Sequence, residues 1–122
     1  MRVLICDDDP VIRYLLTVVL TKRAGDEVIE VANADEVFDV AERERPDLIV
    51  LDYVMPNRSG ADVVEELRTD ETLAAIPVVF LTGRSDIAEE TLDEIGVTGL
   101  IEKPFDAASL PDRLHAYAAT RA

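Results

Sequence analysis

Four short apolar runs in this chain each end on a reactive side chain. Residues 3–6 (VLIC) lead into Asp7, Asp8 and Asp9, and residues 48–51 (LIVL) into Asp52. Residues 78–81 (VVFL) lead into Thr82, and residues 99–102 (GLIE) into Lys103 and Pro104. An apolar run of four or five residues reads as a buried strand. In an open sheet of parallel strands, ligands bind beyond the carboxyl ends of the strands. Four such ends would bring carboxylates, a hydroxyl and an ammonium to one edge of one sheet. Carboxylates suit a hard cation such as magnesium, and a lysine beside a hydroxyl suits an anion. The combination describes a site for magnesium and a phosphoryl group.

The intervening segments read as helices. Strand one is 2–6. Asp9 before Pro10 is a helix cap followed by proline at the first helical position. Helix one then runs to Arg23, with Val11, Ile12, Leu15, Leu16, Val18, Val19 and Leu20 nearly all round it. Such a helix is expected to lie deep against the sheet. Strand two is 27–31. Asn33 and Glu36 have the spacing of a capping box, and helix two ends before Pro46. Strand three is 47–51, helix three about 60–69, strand four 77–81, helix four about 86–95 and strand five 97–101. Helix five starts near Asp106 or Ser109. Alternating strands and helices predict an α/β fold, a parallel sheet covered on both faces.

With 122 residues the chain fits one domain, 1–122. Its 48% hydrophobic content excludes a disordered tail. Cys6 is the single cysteine and reads as a small buried residue. No apolar run approaches the ~18 residues of a membrane span, and the N-terminus lacks the pattern of a signal peptide. The cytoplasm is the expected location. The net charge of −14 repels nucleic acid backbones and anionic membranes, so direct nucleic acid binding is not expected. Lys22 and Lys103 are the only lysines among 26 acidic and 12 basic residues. That balance fits a salt-rich cytoplasm or simply a solvated surface.

Carboxylates gathered at one edge repel one another, and Asp52 joins Asp7 and Asp8 there. A magnesium ion would relieve that cost. Lys103 could instead pair Glu102, Thr82 could be an ordinary strand residue, and Asp9 is a cap. Pro104 is a candidate for a cis peptide. His115, the only histidine, reads as a surface residue of the last helix.

Taken in order, residues 6–10 (CDDDP), 51–56 (LDYVMP) with Gly60, 80–83 (FLTG) and 102–105 (EKPF) resemble the receiver domain of a two-component response regulator. The resemblance covers the whole chain. It implies a flavodoxin-like sheet of five parallel strands in the order 2-1-3-4-5, doubly wound with five helices. It implies that Asp52 accepts a phosphoryl group from a sensor histidine kinase or a histidine phosphotransfer protein. It assigns Asp8 and Asp52 as direct magnesium ligands, Asp7 as a ligand through water and the main-chain oxygen of Val54 as a further one. Thr82 and Lys103 are expected to contact the phosphoryl oxygens. The implied protein is a signalling domain that catalyses only its own phosphorylation and dephosphorylation. The chain ends at Ala122, so a switch without an attached output domain is expected, with an unnamed protein partner and a phosphorylation-dependent dimer as one form.

Three departures qualify the likeness. Leu100 stands at a position that is usually aromatic. Helix four is strongly acidic, and Val54 and Arg84 flank the site. Two rival readings remain. One is an aspartate-nucleophile phosphohydrolase of the haloacid-dehalogenase type, since residues 7–11 (DDDPV) follow a strand as that pattern requires. It leaves residues 52–60 unexplained and needs acids on a strand after Lys103. The other is a receiver-like scaffold that takes no phosphate.

Overall fold

All four of those apolar runs are strands in the computed structural model, which describes residues 1–83 and 94–120. Strands β1 (Arg2–Cys6), β2 (Glu27–Val31), β3 (Leu48–Asp52), β4 (Val78–Thr82) and β5 (Gly99–Glu102) form one sheet in the order β2-β1-β3-β4-β5. Every pairing is parallel. Strands β3 and β4 are buried at every position, and all but their last residues, Asp52 and Thr82, are apolar. Strand β2, at one edge, exposes Glu27 and Glu30. The chain leaves β1 toward β2 and then crosses back over it to β3. The crevice between the ends of β1 and β3 is therefore the switch point where a ligand is expected.

Strands β3 and β4 lie one residue later than the sequence suggests, and β5 starts two residues and ends one residue later. The ladder continues through the polar residue, pairing Asp52 with Leu81 and Thr82 with Glu102. Backbone hydrogen bonds do not depend on side-chain polarity, so β3 and β4 run one residue past their apolar stretches. Pro77 lacks an N–H and stands before β4, where its carbonyl accepts from the Ile49 amide at 3.0 Å.

Helix α1 (Pro10–Val18) begins as expected, with Asp9 Oδ1 accepting from the Val11 amide at 2.9 Å. A π-helical segment, Val19–Arg23, extends it to the expected end. Asn33 caps a 3₁₀ turn, Ala34–Glu36, that leads into α2 (Val37–Glu44), and the chain exits through left-handed Arg45 before Pro46. Helix α3 (Gly60–Leu67) opens on a capping box of Ser59 and Asp62. A single turn, α4 (Glu71–Ala74), follows under an Asp70 cap and was not expected from the sequence. Helix α5 (Leu110–Ala118) ends the described chain. Most of the helix expected over 86–95, and with it Arg84, lies outside the described residues. Gly96, at its expected end, has φ +87°, where a side chain would be strained.

The sheet has a core on each face. One joins Leu4, Cys6, Ile49, Leu51, Val78 and Phe80 to α2 and α3. The other joins Val3, Ile5, Val50, Val79, Leu81 and Ile101 to α1 and α5. Helix α1 departs from expectation here. Leu16, Val19 and Leu20 are buried, yet Val11, Tyr14 and Leu15 are 62%, 67% and 44% exposed. A helix lying on a sheet buries only the stripe that faces it, and no described element covers the opposite stripe. His115 lies partly exposed on α5, as expected, with Nε2 2.8 Å from Asp26 Oδ2.

Candidate metal and phosphoryl site

Strand β1 delivers Asp7 and Asp8 to the crevice, and β3 delivers Asp52. One carboxylate oxygen from each lies within 4.8 Å of the others. Asp7 is fixed at both side-chain oxygens. Its Oδ1 accepts from the Asp9 amide at 2.9 Å, and its Oδ2 accepts from Lys103 Nζ at 2.9 Å. Lys103 Nζ is also 3.5 Å from Asp52 Oδ2, and the Val54 amide donates to Asp52 Oδ1 at 3.3 Å. Lys103 thus turns to Asp7 and Asp52 rather than to its neighbour Glu102. Its peptide bond to Pro104 is cis. Thr82 is buried at the end of β4, between the strands that carry Asp52 and Lys103. The Lys103 amide donates to the Thr82 carbonyl at 2.7 Å.

Electrostatics single out Asp52. Burial pushes its carboxyl up to about 6, and the charge of Asp7 adds to the rise. Lys103 and the Val54 amide pull the other way without cancelling it. Burial works against the Lys103 charge, but the bond to Asp7 and the nearby carboxylates outweigh it, and its pKa is raised. Burial, aided by Asp7, pushes the Cys6 thiol up to about 12, so it stays protonated and inert. One ammonium facing three carboxylates leaves the cluster short of positive charge. All three donors are hard oxygens, the set magnesium takes. No imidazole or thiolate joins them to favour a softer metal. The residues therefore fit a magnesium ion.

A loop of residues 53–59 follows Asp52, and glycine closes it. The Gly60 amide donates to the Tyr53 carbonyl at 2.9 Å. A Cβ on Gly60 would come within 2.8 Å of Phe80 Cε1 and 3.2 Å of the Asp52 carbonyl oxygen. Phe80 cannot yield easily, because it is fully buried and meets Tyr53 edge-on at 5.2 Å. Gly60→Val is expected to cost about 1–3 kcal/mol by overpacking, measured as a lower denaturant midpoint with unchanged slope.

A model of the response regulator receiver domain matches residues 3–115. The chain belongs to that family. It is 37% identical over 116 residues to the phosphate regulon transcriptional regulatory protein PhoB of Pseudomonas aeruginosa, covering 93% of this chain and 50% of that protein. It is 33% identical to the DNA-binding response regulator MtrA of Mycolicibacterium smegmatis, covering 94% and 49%. The chain therefore spans about half the length of these curated relatives. Among solved structures, the chemotaxis response regulator CheY4 of Vibrio cholerae superposes with a TM-score of 0.87 at 29% identity, covering 95% and 97% of the two chains. The receiver domain of a Pseudomonas aeruginosa sensor histidine kinase, with magnesium coordinated in its active-site cleft, gives 0.85 at 27% identity and covers 97% of each. As a receiver domain of a two-component system, the chain is a phospho-accepting switch.

Two features of this receiver were not visible in the pattern of strand ends. Arg13 reaches back from α1 to the Asp7 carbonyl, with Nη1 donating at 2.6 Å. Its place one helical turn after the Asp9 cap was the only signal. Val11, Tyr14 and Leu15, which follow Asp8 and Asp9 on α1, and Val54, two residues past Asp52, are also exposed apolar side chains. The spacing 11, 14, 15 already marked a second stripe, but the same helix has a core stripe that hid it.

Proposed function

We propose that Asp52 is the phosphoacceptor of this receiver, taking a phosphoryl group from a phosphohistidine on a sensor kinase or phosphotransfer protein. The observation that carries the reading is the convergence of Asp52, two further carboxylates and Lys103 on one crevice. An ionised Asp52 oxygen bonds to phosphorus as the phosphorus–nitrogen bond breaks, and the imidazole nitrogen keeps that electron pair. A carboxylate is already a nucleophile, so no base is needed. Asp8 and Asp52 would hold magnesium directly, Asp7 through water, and the Val54 main-chain oxygen would complete the protein's share. When bound, the metal neutralises charge on the phosphoryl oxygens. Lys103 stands ready to pair with another phosphoryl oxygen, and Thr82 donates its hydroxyl to a third. Hydrolysis of the acyl phosphate returns Asp52 to a carboxylate, so the domain catalyses only its own labelling and decay.

Phosphate adds charge and acceptor oxygens where Lys103 and Thr82 can gather, and the domain shifts toward a second arrangement. The readout is a protein partner, with a phosphorylation-dependent dimer as one outcome. The net charge of −14 opposes direct contact with nucleic acid. We assign residues 1–122 to one receiver domain and its working place to the cytoplasm. Among the described residues no helix is long and apolar enough to cross a membrane.

The donor must reach Asp52, and we take the exposed apolar residues on the two segments that follow the carboxylates, Val11, Tyr14 and Leu15 on α1 and Val54 after Asp52, as the rim it covers. A helix carrying the phosphohistidine and an apolar stripe fits that rim. Tyr14→Glu should slow transfer from a phosphohistidine protein roughly tenfold and leave labelling by acetyl phosphate unchanged. Equal slowing of both donors would rule the rim out.

The assignment itself is tested by labelling with acetyl phosphate and magnesium, then reducing the acyl phosphate with borohydride, which converts the modified aspartate to homoserine. Homoserine at position 52 is expected. Homoserine at position 7 would favour the phosphohydrolase reading, and no labelling at all would favour the scaffold.

A further inference from the structure

Among the three clustered carboxylates, Asp8 is the one without a tether. Asp7 is bonded at both side-chain oxygens, and Asp52 is met by Val54 and Lys103. Asp8 is exposed and makes no hydrogen bond or ion pair with the described residues. Only the backbone that launches its side chain can set its direction. That backbone is the planar peptide joining Asp7 to Asp8, whose carbonyl oxygen and amide turn as one unit.

Arg13 holds that unit. Its Nη1 donates to the Asp7 carbonyl at 2.6 Å, and its Nε lies 3.7 Å from Glu30 Oε1 on β2. The guanidinium is mostly enclosed, with 18% of its side chain exposed. A rigid planar fork bonded to a carbonyl on one side and ion-paired on the other is held at a fixed angle, which a single-headed lysine would not reproduce. The other end of the strand tip is fixed by the Asp7 amide, which donates to the Val31 carbonyl at 3.3 Å.

We propose that Arg13 is a positioning residue of the magnesium site, which orients Asp8 by fixing the peptide between Asp7 and Asp8. The inference rests on the reading that Asp8 is a metal ligand. The contacts of Arg13 are to the Asp7 carbonyl and Glu30 rather than to the three clustered carboxylates, and it acts through Asp8.

The sign of its effect separates geometry from charge. Arg13 is a cation bonded to the backbone that carries two of the three carboxylates. Removing it by itself makes the site more negative and tightens binding of another cation. A loss of magnesium affinity in Arg13→Gln must therefore come from lost geometry. Outer partners of metal ligands commonly change affinity by about 10–100-fold, and we expect magnesium to bind Arg13→Gln roughly tenfold more weakly. The probe is magnesium chloride alone, titrated by calorimetry well below the melting temperature of each protein. A second readout needs no metal. The Asp8 amide order parameter should fall from a rigid value near ~0.85 toward ~0.6 in the variant, with the amides of β3 and β4 unchanged.

Unchanged or tighter magnesium binding, or an Asp8 amide as rigid as in the wild type, overturns the proposal. If the wild type itself fails to bind magnesium, the metal-site reading falls and this inference with it. Should Arg13→Gln not fold, Arg13→Lys keeps the stem and the charge and is held to the same outcomes, with a smaller loss of affinity expected.

Discussion

Asp52→Asn is expected to abolish acyl phosphate formation and, in the absence of divalent cations, to raise the melting temperature. The two effects share a cause. Asp52 ends β3 in a buried crevice beside Asp7, and its carboxyl is pushed up from 3.8 to about 6. A shift of about two units means that the ionised group costs the folded state roughly 3 kcal/mol. Asparagine keeps the shape and the acceptor oxygen for the Val54 amide but carries no charge. The cost of the ionised group is already net of the attraction to Lys103, and burying the amide's own NH2 in the crevice offsets part of the gain. A net stabilisation on the order of 1–2 kcal/mol remains, which corresponds to about 4–8 °C for a domain of this size. The amide oxygen is a poor nucleophile, so labelling by acetyl phosphate falls to background.

The pH dependence has a definite sign. Asp52 binds its proton more tightly in the folded than in the unfolded state. The wild type therefore gains stability from this group as pH falls through about 6 toward 4, and Asp52→Asn does not. Thermal melts with a chelator at pH 8 and pH 5 should show the variant ahead at pH 8 and the gap closing at pH 5. A variant that melts below the wild type at pH 8 would contradict the electrostatic account.

Lys103→Ala should move stability the other way. It removes the 2.9 Å partner of Asp7, whose side chain is 1% exposed, and the nearest cation to Asp52. Breaking a buried pair from one side costs a few kcal/mol. Because the Lys103 side chain is itself 23% exposed, water softens the loss, and about 2 kcal/mol is expected at pH 8 without metal. Magnesium should restore most of it, since a bound cation neutralises the same oxygens. Magnesium affinity itself should hold or tighten, as a competing ammonium is gone. Beryllofluoride, a phosphoryl mimic, should still bind Asp52 weakly but fail to shift the amide resonances of β4 and β5. If magnesium affinity dropped as far as that response, Lys103 would belong to the metal site rather than to the phosphoryl group.

Much of the site was legible because its residues end strands. Asp7, Asp52, Thr82 and Lys103 each follow an apolar run, and parallel strands point their carboxyl ends the same way. The strand order comes from pairings far apart in the chain, and here the family likeness anticipated what periodicity alone does not contain. Boundaries were displaced because backbone pairing continues through Asp52, Thr82 and Glu102, whatever their polarity. The outward stripe of α1 was misjudged because Val11, Tyr14 and Leu15 are as apolar as its core stripe. Composition cannot tell which of two apolar stripes meets the sheet. Arg13 escaped notice because its partner is a backbone carbonyl, which every residue possesses. The α4 turn rests on one Asp70 cap over four residues, too short for any period to appear.

A structure determined with magnesium and beryllofluoride tests the central claim most directly. Beryllium should be bonded to an Asp52 carboxylate oxygen, with magnesium on Asp8 and Asp52 and with Lys103 and Thr82 on the fluorides. Beryllofluoride on Asp7, or magnesium bound away from this crevice, would contradict it.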